Sequence, residues 1–239
     1  MSYICIVSVI GVYDSGIGGL TTLAVLKTKF KTDDIFYYAD NANHPFGSKS
    51  KEELQQIISN AIAKMKKHCD IVVLACNTAS TAYNESGVIR LLPPLDCQNP
   101  NETLLMATES TLSNTDTNGI KTAETPELAS LVEIQASINQ IKGNLDMSTL
   151  RTYLKIRLYK FRGVKRVILG CSHYPYCKDE IKRILGDIEF IDGNDNLIKS
   201  LTKARPDGFG SGKITFSFSG QNETNKYKNI LDILLKQSN

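Results

Sequence analysis

A chain of 239 residues with 41% hydrophobic and 22% charged content can bury the core of one large domain or two small ones. Its 28 basic residues against 25 acidic ones leave a net charge of +3, too weak and too scattered to mark a nucleic-acid or membrane-surface binder. No apolar run approaches the roughly 20 residues of a membrane helix, and six cysteines without a CxxC pair argue for reduced thiols rather than a disulfide framework.

In chain order, Ile4–Val12 reads as a buried first strand. It lacks a basic leader and a small-residue cleavage site, so a signal peptide is not expected and a cytoplasmic location is. Asp14-Ser15-Gly16-Ile17-Gly18-Gly19 follows, then Leu20–Lys29 with helical periodicity at Leu20, Leu23 and Ala24. Two readings of this glycine turn stand side by side. It could present N–H groups to an anion at a helix N-terminus, or serve only tight strand–helix packing. The GxGxxG pattern of a dinucleotide loop is not met. Asp34–Ala39 is a second strand, followed by a polar loop over Asp40–Ser50. Ser50 with Glu53 predicts a capping box for a helix reaching about Lys67. His44 reads as a loop-bracing residue, and His68, at that helix's C-terminus, is given no function.

The strand Asp70–Ala75 runs into Cys76-Asn77-Thr78. Strands alternating with helices predict an α/β fold with a doubly wound parallel sheet. Asn84–Asn101, punctuated by Pro93, Pro94 and Pro100, reads as a crossing between domains. Leu104–Ala107 is a strand ending in Thr108-Glu109-Ser110-Thr111, and Ile120–Ala123 is another. Then come the apolar Leu128–Ile134, with Glu133 inside it, and a helical pattern over Asn139–Phe161. Val167–Leu169 is a strand broken by Gly170 and followed at once by Cys171-Ser172-His173. Ile188–Ile191 is a later strand, Ala204–Lys213 a linker or return crossing, Ile214–Ser219 a half-exposed edge strand, and Tyr227–Leu235 a closing amphipathic helix.

Two strand ends thus deliver one thiol each, followed by small polar residues, where open α/β sheets place their ligands. Facing each other across a cleft, a thiolate would be a competent base and a thiol a competent acid, provided their pKa values move from about 8.5 toward working pH. Asp14 ends the first strand and could reach Cys76, His173 lies two residues beyond Cys171, and Glu133 is flanked by apolar residues and could face the cleft. The natural reaction removes a proton from one face of a carbon and returns one to the other. Donors from Ser15, Gly47, Ser48, Asn77, Thr78, Thr111 and Ser172 would hold carboxylates and stabilise enolate charge. No cofactor is then needed. The bland alternative makes buried cysteines small hydrophobes, and Cys5, Cys69, Cys97 and Cys177 are read that way. The three histidines share no ligand spacing with the cysteines, so no metal is expected.

Gly11-Val12-Tyr13-Asp14-Ser15-Gly16-Ile17-Gly18-Gly19-Leu20, Pro45-Phe46-Gly47-Ser48-Lys49-Ser50, Ala75-Cys76-Asn77-Thr78-Ala79-Ser80, Thr125-Pro126-Glu127-Leu128 with Glu133, and Leu169-Gly170-Cys171-Ser172-His173-Tyr174-Pro175 carry a resemblance over nearly the whole chain. The chain resembles the glutamate racemases of the cofactor-independent aspartate/glutamate racemase superfamily. The resemblance implies two pseudo-symmetric, doubly wound α/β domains with mostly parallel sheets and an active site in the cleft between them. The first would span 1–92 and be completed by 206–239, and the second would span 93–205. It implies Cys76 and Cys171 as the acid/base pair, Asp14, Glu133 and His173 as their helpers, and D-glutamate for peptidoglycan as product. A homodimer and a small-molecule substrate, without nucleic acid or membrane, are expected with it. Phe46, in the substrate-binding loop, stands where the family usually has tyrosine, and Ser172 where threonine is usual. Between Tyr83 and Thr108 the chain is shorter than the family pattern and is expected to lack its usual strand. Rival readings are an aspartate racemase, another dicarboxylate isomerase of the superfamily, or a non-catalytic paralogue that binds glutamate or a partner.

Overall fold

Ile10 and Val12 face one hydrophobic layer and Tyr13 the other, which makes Val9–Asp14 (β1) a strand buried on both sides. Double burial is the signature of a parallel sheet covered by helices. The computed structural model describes residues 9–142, 148–205 and 210–237. The expected first strand is therefore seen from Val9 onward, and Ile4–Ser8, with Cys5, lie outside the described residues.

From β1 the chain continues through α1 (Leu20–Lys29), β2 (Asp34–Ala39), α2 (Lys51–Met65), β3 (Ile71–Leu74) and α3 (Asn77–Ala82). The Ser50 hydroxyl accepts the Glu53 N–H at 3.1 Å and so caps α2 as the sequence predicts. Next come β4 (Ile89–Arg90), β5 (Thr103–Ala107), α4 (Glu109–Ser113), β6 (Lys121–Glu124), α5 (Leu128–Lys142) and α6 (Ser148–Leu158). The chain ends with β7 (Arg166–Gly170), α7 (Lys178–Leu185), β8 (Glu189–Ile191), α8 (Asn194–Ala204), β9 (Ile214–Phe218) and α9 (Thr224–Gln237).

Two sheets result, with strand orders β4-β3-β1-β2-β9 and β6-β5-β7-β8, and every described strand pair is parallel. The edge strand predicted at Ile214–Ser219 is β9. It pairs with β2 from Ile35↔Ile214 to Ala39↔Phe218, so the C-terminal segment completes the first sheet. Behind it, Tyr227 of α9 packs edge-on against Phe218 at 4.9 Å between ring centroids. One buried cluster runs from Ile10 and Val12 through Leu104 and Met106 to Val167 and Leu169, so the two sheets share apolar packing.

Two expectations need correction. The Asn84–Asn101 stretch is not strandless: Ile89 and Arg90 pair with Val73 and Leu74, and the Leu91 N–H continues to the Leu74 carbonyl at 2.9 Å. Two residues are too short to show a period-2 pattern, and only the neighbouring β3 makes them a strand. The helical pattern over Asn139–Phe161 belongs to two helices, α5 and α6, followed by a 3₁₀ turn at Tyr159–Phe161. Residues 143–147, between those helices, lie outside the described residues, as do 206–209 of the predicted return crossing. Cys69, Cys76, Cys97, Cys171 and Cys177 are free thiols.

Candidate active site

The site forms where the carboxyl edges of the two sheets meet. Asp14 ends β1, Cys76 follows β3, Thr108 follows β5, and Cys171 follows β7. Both cysteines are buried, at 4% and 6% exposure, and Asp14 is wholly buried. On the first sheet's side, Asp14 accepts the Gly16 N–H at 2.8 Å and, from across the cleft, the Ser172 hydroxyl at 2.9 Å. Burial raises the Asp14 carboxyl above its ordinary range, although the His173 charge and those two donors work the other way. Burial also raises the Cys76 thiol, and charge on Asp14 and Cys171 adds to that, while the Ala79 N–H and the Ser15 hydroxyl favour the thiolate. Cys76 is thus held as a protonated thiol beside the Asp14 carboxyl group.

The other thiol has the opposite surroundings. His173 Nδ1 lies 3.9 Å from Cys171 Sγ, and His173 Nε2 lies 2.9 Å from Glu133 Oε1. Burial alone would depress the imidazolium, but its hydrogen bonds to Cys171 and Glu133 outweigh that and raise it well above 6.5. Burial alone would raise Glu133. The hydrogen bond and charge of His173, with the Ile17 N–H at 2.7 Å, instead hold it down at about 2. An imidazolium, held by Glu133, thus faces Cys171 Sγ.

Both readings of the glycine turn hold in part: a Cβ on Gly19 would strike Asp14 at the end of β1, so strand and helix pack closely there, and the Ile17 N–H donates to the Glu133 carboxylate at 2.7 Å. A Cβ on Gly16 would strike the Glu133 carboxylate, and one on Gly18 would strike Ser172 Oγ and the His173 ring. The turn is bare so that the second half can close directly onto backbone. Gly16→Ala is therefore expected to displace Glu133 and cost ~1–3 kcal/mol of stability by overpacking. Turnover should fall at least tenfold, as read by thermal denaturation beside an activity assay; an active, equally stable variant would refute the close approach.

The remaining predicted ligands separate into two groups. Thr78 and Thr111 meet: Thr78 Oγ1 lies 3.0 Å from Thr108 Oγ1 and 3.2 Å from Thr111 Oγ1, a buried hydroxyl trio linking the two halves. Gly47 docks against the Thr108 side chain. Asn77 donates its side-chain amide to the Leu91 carbonyl at 3.0 Å, Phe46 turns into the core against Tyr13, and Ser48 lies exposed on its loop. Spacing gave no hint of three further neighbours. Lys226 of α9 lies 3.6 Å from Glu133 Oε2, Tyr176 donates to the Ile17 carbonyl at 2.9 Å, and the His44 ring centroid lies 5.7 Å from that of His173. His44 does not brace its loop: both ring nitrogens are buried without a hydrogen-bond partner among the described residues. Burial and the His173 charge lower its pKa to about 4. A cavity of about 260 Å³ opens between Ser15, His44, Glu133 and Tyr227.

No protein-family profile matches the chain. It is 30% identical to the glutamate racemase of Clostridium novyi over 94% of this chain and 97% of that protein. It is also 30% identical to glutamate racemase 2 of Bacillus subtilis, over 94% of this chain and 96% of that one. Among solved structures, glutamate racemase from Campylobacter jejuni superposes with a TM-score of 0.76 at 22% identity, over 95% of this chain and 98% of that chain, a likeness of fold. A two-sheet, all-parallel α/β racemase, an isomerase, is the class these relatives and this architecture define. At that level of identity over nearly its whole length, the chain belongs to the glutamate racemase family.

Proposed function

We propose that the protein interconverts L- and D-glutamate by moving protons at Cα between two cysteines, with Cys76 on one face of the carbon and Cys171 on the other. The observation that carries this reading is the unlike equipment of two buried thiols at matching strand ends: Cys76 with the Asp14 carboxyl group, Cys171 with a His173–Glu133 pair. In one direction a thiolate at Cys171 takes the Cα proton while the Cys76 thiol delivers one from the opposite face. The reverse reaction exchanges the two roles. Asp14 receives and returns the proton of Cys76, and His173, oriented by Glu133, does the same for Cys171. Between the two transfers the carbanion shares its charge with the substrate carboxylate. Donors from Ser15, Gly47, Thr78, Thr111 and Ser172 hold the two carboxylates, while Asn77, tied to the Leu91 carbonyl, and Phe46, packed on Tyr13, support the loops around them, and Ser48 lies exposed. Because both thiols are buried, substrate entry requires the sheet edges to part, which breaks the Glu133–Ile17 and Ser172–Asp14 contacts.

A division into 1–92 with 206–239 and 93–205 fits this reading, since β9 joins the first sheet and the cleft then lies between the units. Family resemblance also carries the proposals of a homodimer, a cytoplasmic location and D-glutamate supply to peptidoglycan. No described helix is long and apolar enough to cross a membrane.

Isotope exchange tests the reaction and the substrate together. In deuterium oxide, L-glutamate is expected to yield D-glutamate bearing deuterium at Cα, read by NMR and chiral chromatography. Aspartate, run in parallel, is expected to exchange at least tenfold more slowly, because one methylene is worth ~1–3 kcal/mol of discrimination. Faster exchange with aspartate would reassign the substrate, and no exchange with either in a folded protein would leave a binding protein.

A further inference from the structure

His44, Glu133 and His173 come from three separate elements, the loop after β2, α5 and the turn after β7. One ligand atom from each lies within 4.8 Å of the other two. Two imidazoles and one carboxylate are a donor set that divalent transition metals accept with a coordination position left open. We propose that these three residues bind one Zn²⁺-class ion, and that its occupancy shuts off proton transfer at Cys171. The binding site stands on its own geometry; the inhibition rests on the racemase reading above.

Each donor is suited to the task. His44 has two buried ring nitrogens without a hydrogen-bond partner among the described residues, so a ligand costs it no existing bond. No polar partner among the described residues holds the ring, which leaves it to swing toward the ~2.0–2.1 Å that a zinc–nitrogen bond needs. His173 Nε2 and Glu133 Oε1, 2.9 Å apart, are spaced for adjacent positions on one ion. The ion takes the place of the single proton now shared between them, and that proton leaves to solvent. His173 Nδ1 stays on Cys171 Sγ at 3.9 Å, an outer contact that fixes which nitrogen faces the metal. Lys226 opposes a cation here, but it approaches Glu133 Oε2 at 3.6 Å and is shared with Glu223 at 3.1 Å, which leaves Oε1 to the ion. The open position faces the cavity of about 260 Å³ that His44 and Glu133 line, so the ion has a route in. A bound ion would hold His173 against Glu133, so the imidazole could no longer gain and lose a proton for Cys171.

The probe is Co²⁺, added to the purified full chain and followed by its visible absorption, with Zn²⁺ used in the racemisation assay. Expected is a visible band that saturates at one equivalent without the near-ultraviolet charge-transfer band of a cobalt–thiolate bond. His44→Ala and the bulkier His44→Gln should both lose it, with affinity down by more than the ~10–100-fold that even outer partners are worth. Both variants should racemise like the parent and resist Zn²⁺, which slows the parent. A visible band that persists in both variants, a thiolate band that disappears in Cys171→Ala, or no binding at all would overturn the site. Binding through His44 by a protein that does not racemise glutamate would instead sink the proposed function and leave the metal site standing.

Discussion

Cys76→Ala and Cys171→Ala are each expected to lower kcat by ~10²–10⁴-fold, and to do so from L- and from D-glutamate alike. The symmetry follows from the proposed two-thiol reaction. There each thiol is the base for one enantiomer and the acid for the other, so losing either leaves one face of Cα without a proton carrier in both directions. Both side chains are small and sit at strand ends, so truncation should leave the fold intact. Progress curves from each pure enantiomer, with a melting curve for each variant, provide the check. A folded single variant with near-parental turnover in either direction would falsify the two-thiol assignment. The thiols should also differ in their response to pH. Cys76 is kept protonated by burial and Asp14, whereas Cys171 faces an imidazolium, so Asp14→Asn and His173→Asn are expected to alter opposite limbs of the pH–rate profile.

Glu133→Gln carries the second large expectation, because that carboxylate both orients His173 and receives the Ile17 N–H across the cleft. Glu133 titrates at about 2 in the fold against an ordinary 4.5. Between those values the folded protein holds fewer protons than the unfolded chain, so its contribution is complete above 4.5 and is lost as pH falls toward 2. The shift corresponds to stabilisation on the order of 3 kcal/mol. His173 runs the opposite way. Its value is raised, so its contribution is complete below 6.5 and fades as pH rises through the higher folded value. Denaturant unfolding of the parent should therefore weaken on acidification through the 4.5-to-2 interval, and Glu133→Gln should be weaker at neutral pH and flatter across that interval. The same variant should lose ~10²-fold or more in kcat. An unchanged acid limb would show that Glu133 is not held down by His173.

Much of the scaffold was written in local patterns. Asp34–Ala39 and Leu20–Lys29 appear with the boundaries their periodicity predicts, because a strand buried on both faces and a helix after a glycine turn each carry a local signal. β4 carried no such signal, since two residues become a strand only through the partner beside them. Composition could not say why Gly16 and Gly18 are glycines. The reason is Glu133 and His173, more than a hundred positions away, lying where a Cβ would sit.

By itself the chain determined the longer strands and helices and the two thiols, since apolar periodicity, strand-breaking glycine and the chemistry of sulfur are properties of neighbours in sequence. Only the tertiary structure decided that Glu133 holds His173, that Ser172 reaches Asp14, and that His44 lies over His173. Burial and hydrogen bonding act through space between residues from opposite sheet edges, and that distance is not encoded in their separation along the chain.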